Sequence, residues 1–543
     1  MQDLPIGISE FPELREKNRL YVDKTKFVYR LLQKDSRTFL SRPRRFGKSL
    51  LVSTLEAALQ GKKELFQGLW IADSDYSWKP VGVVRFDFSQ LSLESVEAFR
   101  HSLLLALQTN AKKYDIVLDD KLSANDALVI LITTLCDKKE NIHFESIAIL
   151  IDEYDHPILH ALHDTKLAMG IRDVMKNFSC VIKGQAALVK FVFVTGVSAF
   201  SKSGLSSGLN NLDNLTMQEP FFNICGYTDE EVDHYFVKHI QHWATLKKTP
   251  YEEVRQQLKN WYNGYCFTEN TPTVYSPFSL TCALNINALR NFWFESATPQ
   301  FLLDELNKPE REQECRLLHL EDLEGNIDLL QTFEIECIPL MSLLFQMGYL
   351  TIRDYNADTG FYRMRYPNTE VKMALHRYLV AALTKTSLGA LNTLMSKLFS
   401  SLIAEDVEQA VQCLTSVFSN IPYQLYPTKA KGEKEQFYHA IVQALFIASG
   451  IKAQAEFSTS LGRSDIIVEL PNLLYVIEIK VDEPPQEGID QIERQKYYEP
   501  FLHLRKPIRL LGLFFHRKKL KTKGQNPNSL TYVTKKLQLL DKK

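Results

Sequence analysis

Two groups of residues in this chain have the types and spacing for phosphate chemistry. The first is Gly47-Lys48-Ser49, followed much later by Asp152-Glu153. A lysine and a hydroxyl at the start of a helix suit a nucleoside triphosphate: backbone N–H groups hold the phosphates, the ammonium reaches the β- and γ-phosphates, and the hydroxyl ligates Mg²⁺. The tripeptide is the tail of the pattern G-x-x-x-x-G-K-[ST], but Arg42 stands where the first glycine belongs. Glycine there permits positive φ and close backbone approach, so its loss must change the loop. Pro43 stiffens it, and Arg44 and Arg45 add cations beside the phosphates. Arg44, Arg45, Phe46, Gly47, Lys48 and Ser49 therefore read as a variant nucleotide-binding loop. Asp152 would hold Mg²⁺ from the Ser49 side, and Glu153 would orient or deprotonate the attacking water. Thr195, near the end of "KFVFVTGV", is placed either as a sensor of the γ-phosphate or as a plain strand-end threonine. The bland alternative for Asp152-Glu153 is a strand that happens to end at two surface acids.

The second group is Asp465 with Glu478-Ile479-Lys480. The period of two puts Glu478 and Lys480 on one face of a strand and Ile477 and Ile479 on the other. A turn at Pro471-Asn472 would bring Asp465 beside them. Two carboxylates so placed can bind Mg²⁺, and the lysine can position or activate water for attack on a phosphodiester. Glu435 is a candidate third carboxylate, and Gln491 and Tyr497 are candidates for orienting the substrate. An exposed Glu–Lys pair on an edge strand is the competing explanation. Against it, "LLYVIEIKV" is apolar enough for a central strand, where unpaired charge is costly.

The elements that must position these groups form two α/β stretches with a helical region between. From about residue 37 to 200, apolar strands ("RTFLSRP", "VGVVRFDFS" over 81–89, "SIAILIDE", "LVKFVFVTGV") alternate with helices starting at Lys48 and spanning about 95–113, the pattern of a parallel sheet covered on both faces. From about 226 to 400 helical periodicity dominates, with one candidate hairpin at "GYLTIRDYNADTGFYRMRYP" that fits a winged-helix-like element. A linker is expected at "IPYQLYPTKAKGEKE",. After it comes a smaller α/β unit whose last predicted helix lies near 487–500. The expected segments are 1–225, 226–425 and 426–543.

Composition narrows the possibilities. The 543 residues are too many for one core,. The net charge of −1 draws the whole molecule to neither nucleic acid nor membrane, so such binding would use a local patch. The tail from His516 carries nine Lys or Arg against one Asp, either a solvated end or a phosphate contact. The eight cysteines include no C-x-x-C spacing, which suits reduced thiols rather than a zinc or disulfide framework,. The amino-terminal stretch has no signal-peptide pattern and the apolar runs are only strand-sized, so a cytoplasmic protein with no membrane partner is expected.

"LPIGISEFPELREKNRLYVDKTKFVYRLL" followed by "RPRRFGKSLLVSTL" resembles the start of the bacterial AAA-ATPase-like family, as do "LIDEYDHPI", "GYTDEEV", "WYNGYCF" and "YPNTEV" farther on. Members carry YVDKT ahead of an RPRRFGKS loop, and many end in a PD-(D/E)XK nuclease-like domain. The resemblance implies that the arginine-rich loop is the family norm and that Glu435, Asp465, Glu478 and Lys480 fill nuclease positions. It implies ATP and Mg²⁺ as cofactors and nucleic acid, in particular DNA, as partner. An ATP-gated scaffold that binds without cutting and an ATPase that remodels a protein partner stay open, as does homo-oligomerisation. No secure arginine finger is visible, Arg290 and Arg311 being guesses; one of Arg44 and Arg45 is expected to pack or pair structurally, with Asp23 a candidate partner, and the other to reach nucleotide.

Overall fold

The computed structural model describes residues 1–33, 36–137, 143–198, 212–297, 323–326, 339–421, 431–459, 462–481, 483, 486–517 and 528–537. They fall into two compact units, one within Met1–Phe301 and Glu321–Glu370 and the other from Val371 onward.

The first unit is built on five strands, β1 (Arg37–Ser41), β2 (Gly82–Asp87), β3 (Ile147–Asp152), β4 (Val189–Gly196) and β5 (Asp213–Asn214). All run parallel, in the order β2-β3-β4-β1-β5. Every residue of β3 is buried, as is all of β4 except Lys190, as expected of strands covered by helices on both faces. The order matters for chemistry because β4 separates β1 from β3. Leu40 pairs with Thr195 and Ile151 with Val194, so Thr195 lies between the loop leaving β1 and the acids ending β3. Strand β2 stops at Asp87, earlier than the apolar run suggests. The Asp87 carboxylate accepts from the Ser89 amide and turns the chain into a short 3₁₀ helix, Phe88–Gln90.

Helices Asp229–Tyr235, Val237–Lys247, Tyr251–Tyr262 and Pro277–Ile286 gather around Phe236, Ile240, Trp243, Leu258, Tyr262 and Leu280. The YVDKT segment docks here. Lys24 Nζ donates to both oxygens of Glu231 at 2.6 and 2.7 Å and to the Asn223 carbonyl at 2.8 Å. Glu231 is itself fixed by a reciprocal cap with Thr228,. The expected hairpin forms as β7 (Thr351–Asn356) and β8 (Phe361–Arg365), and the short strand β6 (Glu324–Asn326) pairs with β8. Three residues without alternation carry no strand signal, so β6 was not foreseen.

The second unit holds the sheet β13-β12-β11-β10-β9, made of β9 (Lys452–Thr459), β10 (Gly462–Glu469), β11 (Leu474–Val481), β12 (Ile508–Arg517) and β13 (Asn528–Leu537). Only β11 and β12 pair parallel. Leu470 N–H donates to the Leu473 carbonyl across Pro471-Asn472, closing the expected turn. Helices Lys431–Ala448 and Glu487–Gln495 pack on this sheet. The second ends before residue 500 because Lys496 turns left-handed (φ 49°) ahead of the 3₁₀ segment Glu499–Leu504. Among the described residues no helix is long and apolar enough to cross a membrane.

Candidate active sites

At the first site, Arg42 has a different role from a phosphate-loop glycine. Its side chain is fully buried, donating to the carbonyls of Ser41 (2.8 Å), Thr216 (2.9 Å) and Phe221 (3.0 Å). The guanidinium lies 4.2 Å from the Phe267 ring centre. Burial lowers its pKa to about 10, still high enough to keep it charged at neutral pH. Arg42 therefore pegs the loop from behind, and its own carbonyl, with that of Pro43, accepts from Lys48 Nζ at 2.9 and 3.1 Å. The tight bend that glycine would supply moves along the chain, to Arg45 (φ 66°) and Gly47 (φ 91°). Gly47 caps the helix Lys48–Leu59 and leaves open space where a side chain would stand.

The loop is also walled. Phe46 is buried edge-on against Tyr265 and Phe267, so only its backbone can face a phosphate. Trp293 Nε1 donates to the Arg44 carbonyl at 2.9 Å, and a Cβ on Gly348 would meet Pro43 at 2.6 Å. Arg45 stacks over Phe278 at 4.9 Å. Pairing of a loop arginine with Asp23 does not occur. Asp23 Oδ1 accepts from the Thr25 N–H and hydroxyl and Oδ2 from the Trp70 amide, so nearby donors already occupy both carboxylate oxygens.

Across the sheet, Asp152 is 2% exposed. Burial pushes its pKa up to about 6, resisted by Ser49 and the Lys48 charge. Glu153 takes the left-handed conformation (φ 52°) and donates its amide to Asp152 Oδ1 at 3.0 Å. Thr195 Oγ1 is buried and finds no hydrogen-bond partner among the described residues. The sheet thus brings together Lys48, Ser49, Asp152, Glu153 and Thr195. Beside the first turn of the loop helix is a small cleft of about 50 Å³, lined by Gly47, Leu51, Tyr21, Val22, Cys225 and Tyr227 among others. Arg290 is exposed, with its backbone tied to Tyr262, and Arg311 lies outside the described residues.

At the second site, Glu478 is fully buried in β11, the middle strand of its sheet. The β10–β11 pairing runs from Glu469–Leu474 to Ile466–Ile477. Beyond that point carboxylates replace backbone rungs: Asp465 N–H donates to Glu478 Oε1 (3.2 Å), and Asp465 Oδ2 accepts from Ile479 N–H (2.7 Å). Lys480 Nζ lies 3.4 Å from Glu478 Oε2. Burial, then the Asp465 charge, raises the Glu478 pKa well above the ordinary carboxylate range against the pull of Lys480. Burial would lower Lys480, but Glu478, Asp465 and Glu435 together hold its ammonium above its usual value. Among the described residues no three His, Cys, Asp or Glu side chains converge as metal ligands. A cation here would rest on Asp465 and Glu478, with Glu435 acting through its charge on Lys480. Gln491 Nε2 donates to the Tyr497 hydroxyl at 3.3 Å. His439 sits with Nε2 2.6 Å from the Asp465 carbonyl oxygen. Its spacing four residues after Glu435 on one helix face was the available signal, and sequence reasoning passed over it. Asp155, in the turn after β3, was missed as well.

Comparison with known proteins finds a family match at each end of the chain. Residues 5–206 match the family described as Predicted AAA-ATPase, and residues 433–525 match the PD-(D/E)XK nuclease superfamily. Over 520 residues the chain is 33% identical to a protein of Azotobacter chroococcum mcd 1 described as "Uncharacterized protein in vnfD 5'region". That alignment covers 95% of this chain and 96% of the relative.

Proposed function

Because the chain belongs to the predicted AAA-ATPase family with a C-terminal PD-(D/E)XK nuclease superfamily domain, we propose that it hydrolyses ATP at one site and cuts nucleic acid at the other. The observation that carries the ATPase reading is the placement of Lys48 and Ser49 at the start of the helix after β1, with the buried Asp152 carboxylate ending β3 across β4. A hydroxyl from the helix after β1 and a carboxylate from the end of β3 are the hard oxygen donors that Mg²⁺ takes,. The orphaned Thr195 hydroxyl is consistent with a ligand completing the site,.

In this reading Lys48 exchanges the Arg42 and Pro43 carbonyls for the β- and γ-phosphates. The amides from Phe46 to Ser49 hold phosphate oxygens, and Arg44 supplies charge beside them. Glu153 orients the attacking water and takes its proton, while Thr195 donates to the γ-phosphate. Mg²⁺, held by Ser49 and Asp152, would neutralise charge developing on the phosphates.

At the second site Asp465 and Glu478 suit Mg²⁺ for the same reason, and the cation would polarise the phosphodiester. Lys480 positions the hydrolytic water, and Gln491 with Tyr497 lies beside the substrate. Residues 1–225 carry ATP chemistry, 226–425 wall the loop and respond to nucleotide state, and 426–543 act on DNA. The compartment is cytoplasmic.

One observation favours a second reading. Asp465 and Glu478 already satisfy backbone N–H groups, and among the described residues no third ligand converges on them, as in a domain that binds nucleic acid under ATP control without cutting it. Incubating linear and circular DNA with Mg²⁺, with and without ATP, separates the two. ATPase rates with single-stranded DNA, double-stranded DNA and RNA then identify the stimulating partner. Binding without cleavage under all conditions leaves the scaffold. ATP turnover indifferent to every nucleic acid points to a protein partner.

A further inference from the structure

The turn after β3 contains a second acid that the proposed chemistry does not use. Asp155 is fully buried, and among the described residues no cation pairs with it. A buried carboxylate without a counter-ion is expensive unless donors surround it. Here they do: Val197 N–H lies 3.1 Å from each carboxylate oxygen, and the Ser198 N–H and hydroxyl each donate to Oδ2 at 2.6 Å. These donors directly follow β4, whose Thr195 carbonyl accepts from Tyr154 N–H at 3.0 Å. Gly196 leaves room for the contact, since a Cβ there would meet Asp155 Oδ1 at 2.4 Å and the Tyr154 ring at 2.7 Å.

The staple therefore joins the exits of two neighbouring strands at the end of the sheet where ligands of open α/β folds bind. One exit carries Glu153 and the other Thr195. Glu153 is in the left-handed region, which a non-glycine residue holds only when its surroundings over-determine it. The Tyr154 and Asp155 contacts supply that restraint from the side of the turn away from Asp152.

We propose that Asp155 is a positioning residue of the ATPase site, locking the β3 and β4 exits together so that the Glu153 carboxylate and the Thr195 hydroxyl keep one fixed relation. The inference rests on the ATPase reading above. Asp155 touches no substrate; it acts through the turn it holds. A purely structural staple would support folding and nucleotide binding alike, whereas a positioning staple acts on the chemical step.

The test uses the full chain with Asp155→Asn and Ser198→Ala. An asparagine presents N–H to a backbone donor at one of the two positions, breaking half the clamp while keeping its shape. Ser198→Ala removes one donor and leaves the carboxylate in place, so it serves if the first variant does not fold. Steady-state ATP turnover, equilibrium binding of a non-hydrolysable ATP analogue and thermal melting are measured for each. Asp155→Asn is expected to lower kcat by about tenfold or more with analogue affinity within about twofold of the parent, as misplacement of a catalytic group does. Ser198→Ala should follow in the same direction by a smaller factor. Unchanged kcat in both variants overturns the proposal, and so does a joint loss of binding, turnover and melting temperature in both. A parent that binds the analogue but does not turn over ATP overturns the ATPase reading, and this inference with it.

Discussion

Lys48 shows how one residue can hold the loop before nucleotide arrives: its ammonium already bonds the Arg42 and Pro43 carbonyls. Lys48→Ala should abolish ATP turnover and weaken nucleotide binding, because the point charge on the β- and γ-phosphates is lost. Glu153→Gln should bind ATP as the parent does and turn over about 10²-fold more slowly. Normal turnover by Lys48→Ala in a coupled phosphate-release assay would remove the loop from the mechanism. Asp152 makes a separate prediction for the metal-free protein. Its folded pKa of about 6 lies above the usual 3.8, so the folded state favours the neutral acid. The stability this contributes is complete below the ordinary aspartate value and is lost as pH rises through 6. In chelator, Asp152→Asn should therefore be more stable than the parent at pH 7.5, by up to about 2 kcal/mol, with the gain gone near pH 4. Urea melts at the two pH values check the sign.

At the scale of elements, Arg42 decides whether the loop is a damaged glycine loop or a different design. Arg42→Gly restores the usual pattern but strips three backbone carbonyls of their donor. We expect a loss of about 2–4 kcal/mol in urea unfolding and no gain in ATP affinity. Tighter ATP binding by Arg42→Gly would show that the loop wants its glycine back. The residue's identity was plain in the sequence, but its role was not. Position 42 alone cannot reveal that Thr216, Phe221 and Phe267 converge behind it, since those contacts span long separations. Strand and helix positions were legible because continuous apolar runs and capping residues such as Ser95 act locally. The hairpin bearing Asp465 and Glu478 was legible for the same reason, through period two and the Pro471-Asn472 turn. Where its ladder gives way to carboxylate rungs was not, because β-register depends on cross-strand fit. Asp23 was misjudged because a nearby amide outcompeted a distant arginine for its carboxylate.

At the scale of the whole molecule, the two sites lie in different compact units, so their chemistry should separate. Asp465→Ala and Lys480→Ala should each eliminate Mg²⁺-dependent cleavage and leave basal ATP turnover nearly unchanged. In chelator the Asp465→Ala variant should melt no lower than the parent, since it removes a charge that repels Glu478,. A structural ion pair predicts the reverse for Lys480→Ala, a clear drop from stranding Glu478, so melting curves beside the cleavage assay tell enzyme from scaffold. The walls of the nucleotide loop carry a practical consequence. Tyr265, Phe267, Trp293 and Gly348 all come from chain beyond the segment that matches the ATPase family. The family-matched segment is thus not portable at its sequence boundary. A polypeptide of residues 1–225 would expose Phe46 and leave Arg42 without its ring, and should be recovered insoluble. A polypeptide of residues 1–370 should be soluble and bind nucleotide. Anyone grafting, swapping or trimming this AAA-ATPase-like domain must carry the later residues along.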